Sequence, residues 1–183
     1  YLRRYWRYER QVEAAILQRT AHGPAASSSG MDALIRQNLD LLYPPAKPAE
    51  PGSDWQKVAC ALAARNAFSI ITGGPGTGKT TTVVRLLALL QQVAADSGAT
   101  RLLRIRLAAP TGKAAARLKE SIAGAISKLP DAFWKNDYVI ESIPRDVVTL
   151  HRLLGSRPDS RQFRHNAANP LPLDVLVVDE CSM

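Results

Sequence analysis

Residues 73–80 read GGPGTGKT, a glycine-rich stretch between an apolar run and a helix-forming run. The stretch matches the pattern G-x-x-x-x-G-K-[ST], in which backbone N–H groups surround a phosphate. The helix predicted to begin at Lys79 adds the positive end of its dipole. We expect Lys79 to reach the β and γ phosphates of a nucleotide and the Thr80 hydroxyl to bind Mg²⁺. A turn that only caps a helix is the alternative, and the match at all eight positions disfavours it.

The chain around this loop alternates between predicted strands and helices, which is typical of a parallel sheet built from βαβ units. Upstream, we expect a short buried strand over 67–72, after a helix over 54–65 with Ser53 as its N-cap. We therefore predict an α/β fold with a parallel sheet and helices on both faces. Downstream, the pattern predicts helices over 79–95 and 113–127, strands over 102–109 and 175–178, and a less regular region over 128–172.

The chain ahead of this part is predicted to be a separate helical region. Apolar residues at helical spacing indicate helices over 1–20 and 31–42. The stretch PPAKPAEPG, residues 44–52, has four prolines and a glycine, which exclude a helix there. We predict the end of a helical domain over 1–43, a linker over 44–52, and a nucleotide-binding domain over 53–183 that is cut off after its last strand.

A second motif, DVLVVDE, ends the last predicted strand with Asp179 and Glu180. Ligands of open α/β sheets bind at the carboxyl ends of the strands. We expect Asp179 to hold Mg²⁺ through its hydration shell and Glu180 to act as general base on an attacking water. Two acidic residues that merely begin a surface turn are the alternative. The upstream phosphate loop disfavours it, because both motifs support one site.

Gln56 has two interpretations that its sequence neighbourhood leaves open. Its side-chain carbonyl and amide can together hydrogen-bond the edge of an adenine. Alternatively, Ser53-x-x-Gln56 is a capping box, in which Gln56 turns back to the Ser53 backbone N–H.

The charge of the chain points to nucleic acid as a partner. Its net charge is +8 and its pI is near 9.9, which attracts polyanions. From Arg101 to Lys119 there are six basic residues and no acidic one. Within this run, Thr111, Lys113 and the backbone N–H groups of the turn before it are expected to hold phosphates of a nucleic-acid strand. A plain turn with an exposed lysine is the alternative.

A further set of phosphate donors, Thr149, His151 and Arg152, lies in the stretch TLHRLLG. His151 ranks below Thr111, because an isolated histidine is more often structural. The two cysteines, Cys60 and Cys181, lie far apart without metal-ligand spacing, so we expect reduced thiols in a cytoplasm. The sequence carries neither a transmembrane run nor a secretory signal, and we expect no membrane partner.

Five stretches together resemble the RecD family, the superfamily 1B DNA helicases that form the alpha chain of exodeoxyribonuclease V in the RecBCD helicase-nuclease. The resemblance implies a RecA-like P-loop fold, ATP and Mg²⁺ as cofactors, and translocation along single-stranded DNA in the 5′ to 3′ direction. It also implies RecB- and RecC-like subunits as partners, in recombination and double-strand-break repair in a bacterial cytoplasm. The stretches are WQKVA (55–59), GGPGTGKTTTV (73–83), RIRLAAPTGKAAARL (104–118), TLHRLLG (149–155) and LDVLVVDE (173–180).

The resemblance also implies a role for individual residues. Lys79 and Glu180 become the catalytic pair, Thr80 and Asp179 the metal ligands, and Gln56 the residue that contacts adenine. The implied nucleotide contacts are Gln56, Gly74, Pro75, Gly76, Thr77, Gly78, Lys79, Thr80 and Thr81, and the implied single-stranded DNA contacts are Pro110, Thr111, Lys113, Thr149 and His151.

Two departures from the family pattern lead to expectations of their own. Cys181 stands where the family has alanine, so a thiol beside the nucleotide is expected to be shielded from alkylation by ATP. The chain stops at Met183, without the second RecA-like domain and the arginine that completes the ATP site. We therefore expect this fragment to bind ATP but barely hydrolyse it. The alternatives are a P-loop nucleotide switch or scaffold subunit that moves no DNA, and a DNA-binding module with an idle ATP site.

Overall fold

The computed structural model of the chain describes residues 2–21, 29–44, 54–74, 76–134, 137–157 and 160–181. The helices are α1 (Arg3–Ala21), α2 (Ser29–Leu42), α3 (Trp55–Arg65), α4 (Lys79–Asp96), α5 (Gly112–Ile126), α6 (Asp131–Trp134), α7 (Asp137–Glu141) and α8 (Leu150–Leu154). The strands are β1 (Ile105–Ala109), β2 (Val147–Thr149), β3 (Ser156–Arg157), β4 (Ser160–Phe163) and β5 (Val175–Val178).

The main sheet has three parallel strands in the order β2-β1-β5. Ala109 lies beside Thr149 in the first pair, and Ala108 lies beside Val178 in the second. The carboxyl ends of all three strands therefore meet at one edge of the sheet. The predicted α/β fold with a parallel sheet flanked by helices is confirmed. The region expected to be less regular contains α6, α7, α8, β2 and an antiparallel hairpin of β3 and β4.

Helix α4 runs through the centre of the hydrophobic core. Half of its residues are buried, and Leu87 and Leu89 have no exposed surface. One core cluster joins α4 to residues of α2, α3, α5 and β1. Helix α4 begins at Lys79, directly after the last glycine of the loop. Because α4 is packed in the core, the position of this end of the loop is fixed.

The strand predicted over 67–72 is wrong. Residues 66–74 form no strand, and Ile70 is 74% exposed. Among the described strands, β5 pairs with β1 alone, and a cavity lies between its other side and the segment around Ser69 and Ile71. Without a neighbouring backbone to bond, an apolar sequence alone does not make a strand.

The second predicted strand, over 102–109, is three residues shorter than expected, because β1 begins at Ile105. The buried Gln91 side chain on α4 accepts from the Leu103 N–H at 2.9 Å and donates to the Leu103 carbonyl at 3.0 Å. The backbone N–H and carbonyl of Leu103 are therefore hydrogen-bonded to a glutamine side chain and not to a neighbouring strand. Such pairing is what a buried amide needs.

The two helices ahead of the predicted linker differ in how they pack. Helix α1 has no buried residue, whereas Ile35, Leu39 and Leu42 of α2 belong to the same core as α4. Residues 45–53 lie outside the described part, so the predicted boundary over 44–52 stays a prediction. The predicted Ser53 cap is wrong, because Asp54 is the N-cap of α3. Among the described residues, no helix combines the length and the apolar character that crossing a membrane requires.

Candidate nucleotide and nucleic-acid site

The glycine-rich loop has the backbone shape that its sequence predicts. Gly76 and Gly78 have φ angles of 75° and 82°, a left-handed conformation that other residues adopt at a cost. The Thr77 hydroxyl donates to the Gly74 carbonyl at 2.9 Å and so braces the loop from within. Pro75 lies outside the described residues, and Thr81 lies half-buried in the first turn of α4.

Lys79 reaches back across this loop from the start of α4. Its ammonium donates to the carbonyls of Gly73 at 2.7 Å and Gly74 at 2.9 Å. An ammonium has three N–H groups, so one more is available to a phosphate oxygen. The loop therefore holds a positive charge at the place where the sequence predicts phosphates.

Lys79, Thr80 and Asp179 line one cavity of about 360 Å³ between α4, β5 and the segment before the loop. A hydroxyl and a carboxylate are oxygen ligands of the kind that Mg²⁺ takes, while the rest of its coordination comes from water and phosphate. In the part of the chain that the structure describes, no group of three or more His, Cys, Asp or Glu residues gathers into a metal site. The residues present fit a metal shared with a nucleotide rather than one held by protein alone.

Glu180 follows β5 in an unusual backbone conformation. Its φ is 52°, the single positive value among the described residues other than glycine. Such a conformation costs of order 1 kcal/mol or more and is found preferentially at functional sites. The side chain is exposed and does not line the cavity, whereas Asp179 does. No described residue forms an ion pair or hydrogen bond with either side-chain carboxylate.

Gln56 lies against the phosphate loop. Its side-chain amide donates to the Thr77 carbonyl at 3.2 Å, and a Cβ placed on Gly78 would lie 2.5 Å from that amide nitrogen. The cap of α3 is Asp54, whose carboxylate accepts from the backbone N–H groups of Gln56 and Lys57. The structure thus brings Gln56 to the nucleotide loop, while its contact to adenine stays a prediction.

Thr111 and Thr149, two predicted contacts to DNA, are helix N-caps. The Thr111 hydroxyl accepts from the Ala114 N–H at 3.2 Å, and the Thr149 hydroxyl accepts from the Arg152 N–H at 3.3 Å. Both residues follow or end adjacent strands at the carboxyl edge of the sheet. Each hydroxyl still has its own proton to donate. The capping role and a phosphate contact are therefore compatible.

The other predicted DNA contacts differ in their surroundings. Pro110 is half-buried in the turn after β1, and Lys113 is exposed in the first turn of α5. His151 is exposed, and its ring meets the Phe163 ring edge-on at 5.8 Å between centroids. Phe163, on β4, was missed by sequence reasoning. Its place between two arginines, in RQFRH, is a pattern typical of contacts to single-stranded nucleic acid.

The basic run over 101–119 does not form one surface. Arg101 and Arg104 bind Asp174 at the amino end of the sheet, away from the carboxyl edge. These guanidinium groups hold the pKa of Asp174 well below its usual range. Lys119 likewise binds Asp146 at 2.7 Å and lowers the pKa of that carboxyl. Three of the six basic residues are therefore engaged by carboxylates of the chain itself.

Comparison with known families agrees with this site. Residues 56–183 match the family model described as an AAA domain. The chain therefore belongs to the AAA domain family. Membership in this family of nucleotide-binding domains implies binding of ATP with a divalent metal ion.

The relatives of the chain are more specific. The chain is 48% identical over 149 residues to "RecBCD enzyme subunit RecD" of Haemophilus influenzae, covering 81% of this chain and 22% of that protein. It is 44% identical to the protein of that name from Mycolicibacterium smegmatis, covering all of this chain and 30% of that protein. It is 34% identical to "ATP-dependent RecD2 DNA helicase" of Deinococcus radiodurans, covering all of this chain and 20% of that protein.

The chain is thus RecD-like, and the predicted resemblance to RecD helicases is confirmed. It spans between 20% and 30% of the length of these three relatives.

Proposed function

We propose that this chain is the ATP-binding part of an ATP-dependent DNA helicase that moves along single-stranded DNA in the 5′ to 3′ direction. The observation that carries the proposal is that Lys79, Thr80 and Asp179 line one cavity, with Asp179 directly after β5 at the carboxyl edge of the sheet. The RecD names of the relatives support the helicase activity. The relatives with these names are longer than this chain, which covers 22% and 20% of them.

ATP binding follows from the loop and the cavity. Backbone N–H groups of residues 76–80 and the third N–H of Lys79 hold the phosphates. Thr80 and Asp179 hold Mg²⁺, which supplies charge neutralisation on the phosphates when it is bound. Glu180 orients and deprotonates the attacking water, and Gln56 hydrogen-bonds the adenine.

This chain alone is proposed to turn ATP over slowly. Among the described residues that line the cavity, Lys79 is the single cation. A further cation that stabilises the transferred phosphoryl group is worth about 10³ to 10⁵ in rate. Steady-state turnover near one per second would contradict this proposal.

The DNA track is proposed to cross the carboxyl edge beside the ATP site. The ends of β1 and β2 carry Pro110, Thr111, Lys113 and Thr149, next to β5 and its acidic pair. Hydroxyls, a lysine and the N-termini of helices are typical contacts to phosphates, and they read no sequence. His151, edge-on to Phe163, lies two positions after Thr149, in the first turn of α8.

We further propose that the chain acts with RecB- and RecC-like subunits as exodeoxyribonuclease V, in recombination and double-strand-break repair in the bacterial cytoplasm. Two relatives are named as RecBCD enzyme subunits. Helix α1 buries no residue against the rest of the described chain, which leaves Tyr5, Tyr8 and Val12 for another protein. Co-purification with RecB- and RecC-like subunits tests this assembly.

The experiment measures binding of labelled ATP-Mg²⁺ to this chain, with and without oligo-dT, across a salt series. We expect Lys79→Ala to weaken ATP binding about a hundredfold, through loss of charge-assisted hydrogen bonds. We expect Thr111→Ser to bind DNA as the original chain does, and Thr111→Ala to bind it more weakly. The serine variant is the matched control, because it keeps both the cap and the hydroxyl.

A nucleotide switch or scaffold subunit is the second candidate. The caps formed by Thr111 and Thr149 favour it, since capping by itself accounts for these two hydroxyls. If ATP binds but oligo-dT does not bind even at low salt, the switch replaces the motor. If oligo-dT binds and ATP does not, the chain is a DNA-binding module with an idle nucleotide site.

A further inference from the structure

Helix α3 contacts the nucleotide region with two polar side chains, one helix turn apart. Gln56 donates to the Thr77 carbonyl at 3.2 Å, and the Cys60 thiol donates to the Thr82 carbonyl at 3.4 Å. Residues four positions apart share one face of a helix. One face of α3 therefore bonds both the end of the phosphate loop and the first turns of α4.

Tyr43, directly after α2, lies behind the second of these contacts. Its hydroxyl is 3.1 Å from the Cys60 sulfur, and both residues are buried. A thiol carries one hydrogen, and here it points to Thr82. The phenol must therefore be the donor to the sulfur, which gives one directed chain from Tyr43 through Cys60 to the Thr82 carbonyl.

Arg85 fastens the other side of Tyr43 to α4. Its guanidinium carbon lies 4.4 Å from the centroid of the Tyr43 ring, within the range of a cation–π contact. Its Nε atom is buried and has no hydrogen-bond partner among the described residues. Tyr43 thus joins α2, α3 and α4 at a single point.

Burial keeps this chain of hydrogen bonds neutral. It raises the pKa of the Cys60 thiol to about 11 and also raises the pKa of the Tyr43 phenol. The order of donors and acceptors is therefore the same throughout the neutral pH range. The contacts of the two side chains join α2, α3 and α4, which indicates a positional role for both.

We propose that Tyr43 and Cys60 are positioning residues for the nucleotide site, which hold α3 so that the Gln56 amide lies on the phosphate loop. The inference rests on the proposed function in one respect, namely that Gln56 contacts adenine. Gln56 and the loop lie close together, since a Cβ on Gly78 would be 2.5 Å from the Gln56 amide nitrogen. A small shift of α3 therefore displaces Gln56 while leaving the phosphate loop attached to α4.

The test is the double variant Tyr43→Phe/Cys60→Ala, which removes both polar partners together. This change removes the donor and the acceptor of the Tyr43–Cys60 hydrogen bond together and keeps the ring that Arg85 contacts, so we expect the fold to be kept. We expect ATP to bind about fivefold more weakly, the equivalent of one hydrogen bond, and inorganic tripolyphosphate to bind as before. The single variant Cys60→Ser keeps Tyr43, and its hydroxyl can accept from Tyr43 and donate to the Thr82 carbonyl. It should therefore bind ATP as the original chain does.

Ile140→Val is the matched control, because Ile140 is in the same core but lies on α7. It should lower the melting temperature without changing the ratio of ATP to tripolyphosphate affinity. Unchanged ATP affinity in the double variant, or equal weakening of both ligands, would overturn the inference.

A second readout needs no nucleotide. In a ¹⁵N-labelled chain, the Gln56 side-chain amide should exchange with water faster in the double variant than in the original, and Cys60→Ser should slow it again. If the original chain binds no ATP, the proposed function fails, and this exchange still decides the inference. An exchange rate that is the same in all three proteins overturns it.

Discussion

The two ends of the parallel sheet carry the same residue types in opposite circumstances. At the amino end, Asp174 accepts from the side chains of Arg101 and Arg104 and from the Arg104 backbone N–H at 2.7 Å. At the carboxyl end, the side chains of Asp179 and Glu180 have no partner among the described residues. The Asp174 carboxylate is thus fully hydrogen-bonded within the chain, whereas the carboxylates of Asp179 and Glu180 are available to a ligand.

This difference teaches how to separate structural charges from functional ones. Asp174 accepts five hydrogen bonds, whereas a carboxylate has about four acceptor sites, so it has no capacity left for a metal or a water. Asp179 and Glu180 form no salt bridge with any described residue. The backbone of Glu180 is nevertheless held at a φ of 52°. Strain at an unpartnered acidic residue indicates a site, whereas a low pKa at Asp174 reports only its neighbours.

The largest expected effect is at the carboxyl end, with Asp179→Asn. We expect the affinity for ATP-Mg²⁺ to fall about tenfold or more, because a residue that holds the metal or its hydration shell is lost. ATP binding measured in EDTA should not change, and the melting temperature should stay the same. Isothermal titration with and without Mg²⁺ measures this. An equal loss in EDTA would mean that Asp179 acts on the loop and not on the metal.

A smaller effect is expected in thiol labelling at the same end. Cys181 is exposed, whereas Cys60 is buried, with its pKa raised to about 11. A maleimide at neutral pH should therefore label Cys181 and spare Cys60, which serves as the internal control. We expect ATP-Mg²⁺ to slow labelling of Cys181 several-fold, as mass spectrometry of the labelled peptide would show. Equal rates with and without nucleotide would remove Cys181 from the vicinity of the site.

The next effect compares lysine and arginine from the same basic run. Lys113→Ala should weaken oligo-dT binding and reduce the slope of log affinity against log salt by about 1, because one phosphate contact is lost. Arg104→Ala should leave that slope unchanged, since Arg104 is engaged by Asp174. Fluorescence anisotropy at several salt concentrations distinguishes the two. A lower slope for Arg104→Ala would mean that Arg104 also contacts DNA, and that the basic run over 101–119 acts as one DNA-binding surface.

Much of the fold was predictable because its determinants are local. The glycines of the loop, the apolar run of β5 and its acidic end were placed correctly, and periodicity indicated α4 and α5 to within a residue or two. The predicted strand over 67–72 failed because strand formation depends on a partner, and the sequence of one segment does not contain its neighbour.

The candidate site was predictable in its members more than in their contacts. Lys79, Thr80 and Asp179 share a cavity as their motifs indicate. The hydrogen bond from Gln56 to the Thr77 carbonyl was not predictable from the sequence. The sequence left open a capping box between Ser53 and Gln56, whereas Asp54 is the residue that caps α3. Nor did the sequence distinguish free from engaged arginines in the basic run, since Asp174 lies about seventy residues further along. Long-range pairing of this kind has no periodic signal.

The smallest expected effect is at the amino end, with Asp174→Asn. The pKa of Asp174 is lowered by Arg101 and Arg104, so its charge stabilises the fold above the unfolded pKa of about 3.9. That contribution is lost as the pH falls through the lower folded pKa. At pH 7 the variant should therefore melt a few degrees below the original chain, and the difference should shrink when both are measured well below pH 4.

Asp146→Asn is the matched control for this last comparison. Asp146 also has a lowered pKa, but its side chain is 86% exposed against 22% for Asp174, and one lysine binds it. An exposed single pair contributes little to stability, so this variant should melt with the original chain at every pH. ATP affinity should be unchanged in both variants. If Asp174→Asn instead weakened ATP binding without lowering the melting temperature, the division between a structural and a functional end of the sheet would be wrong.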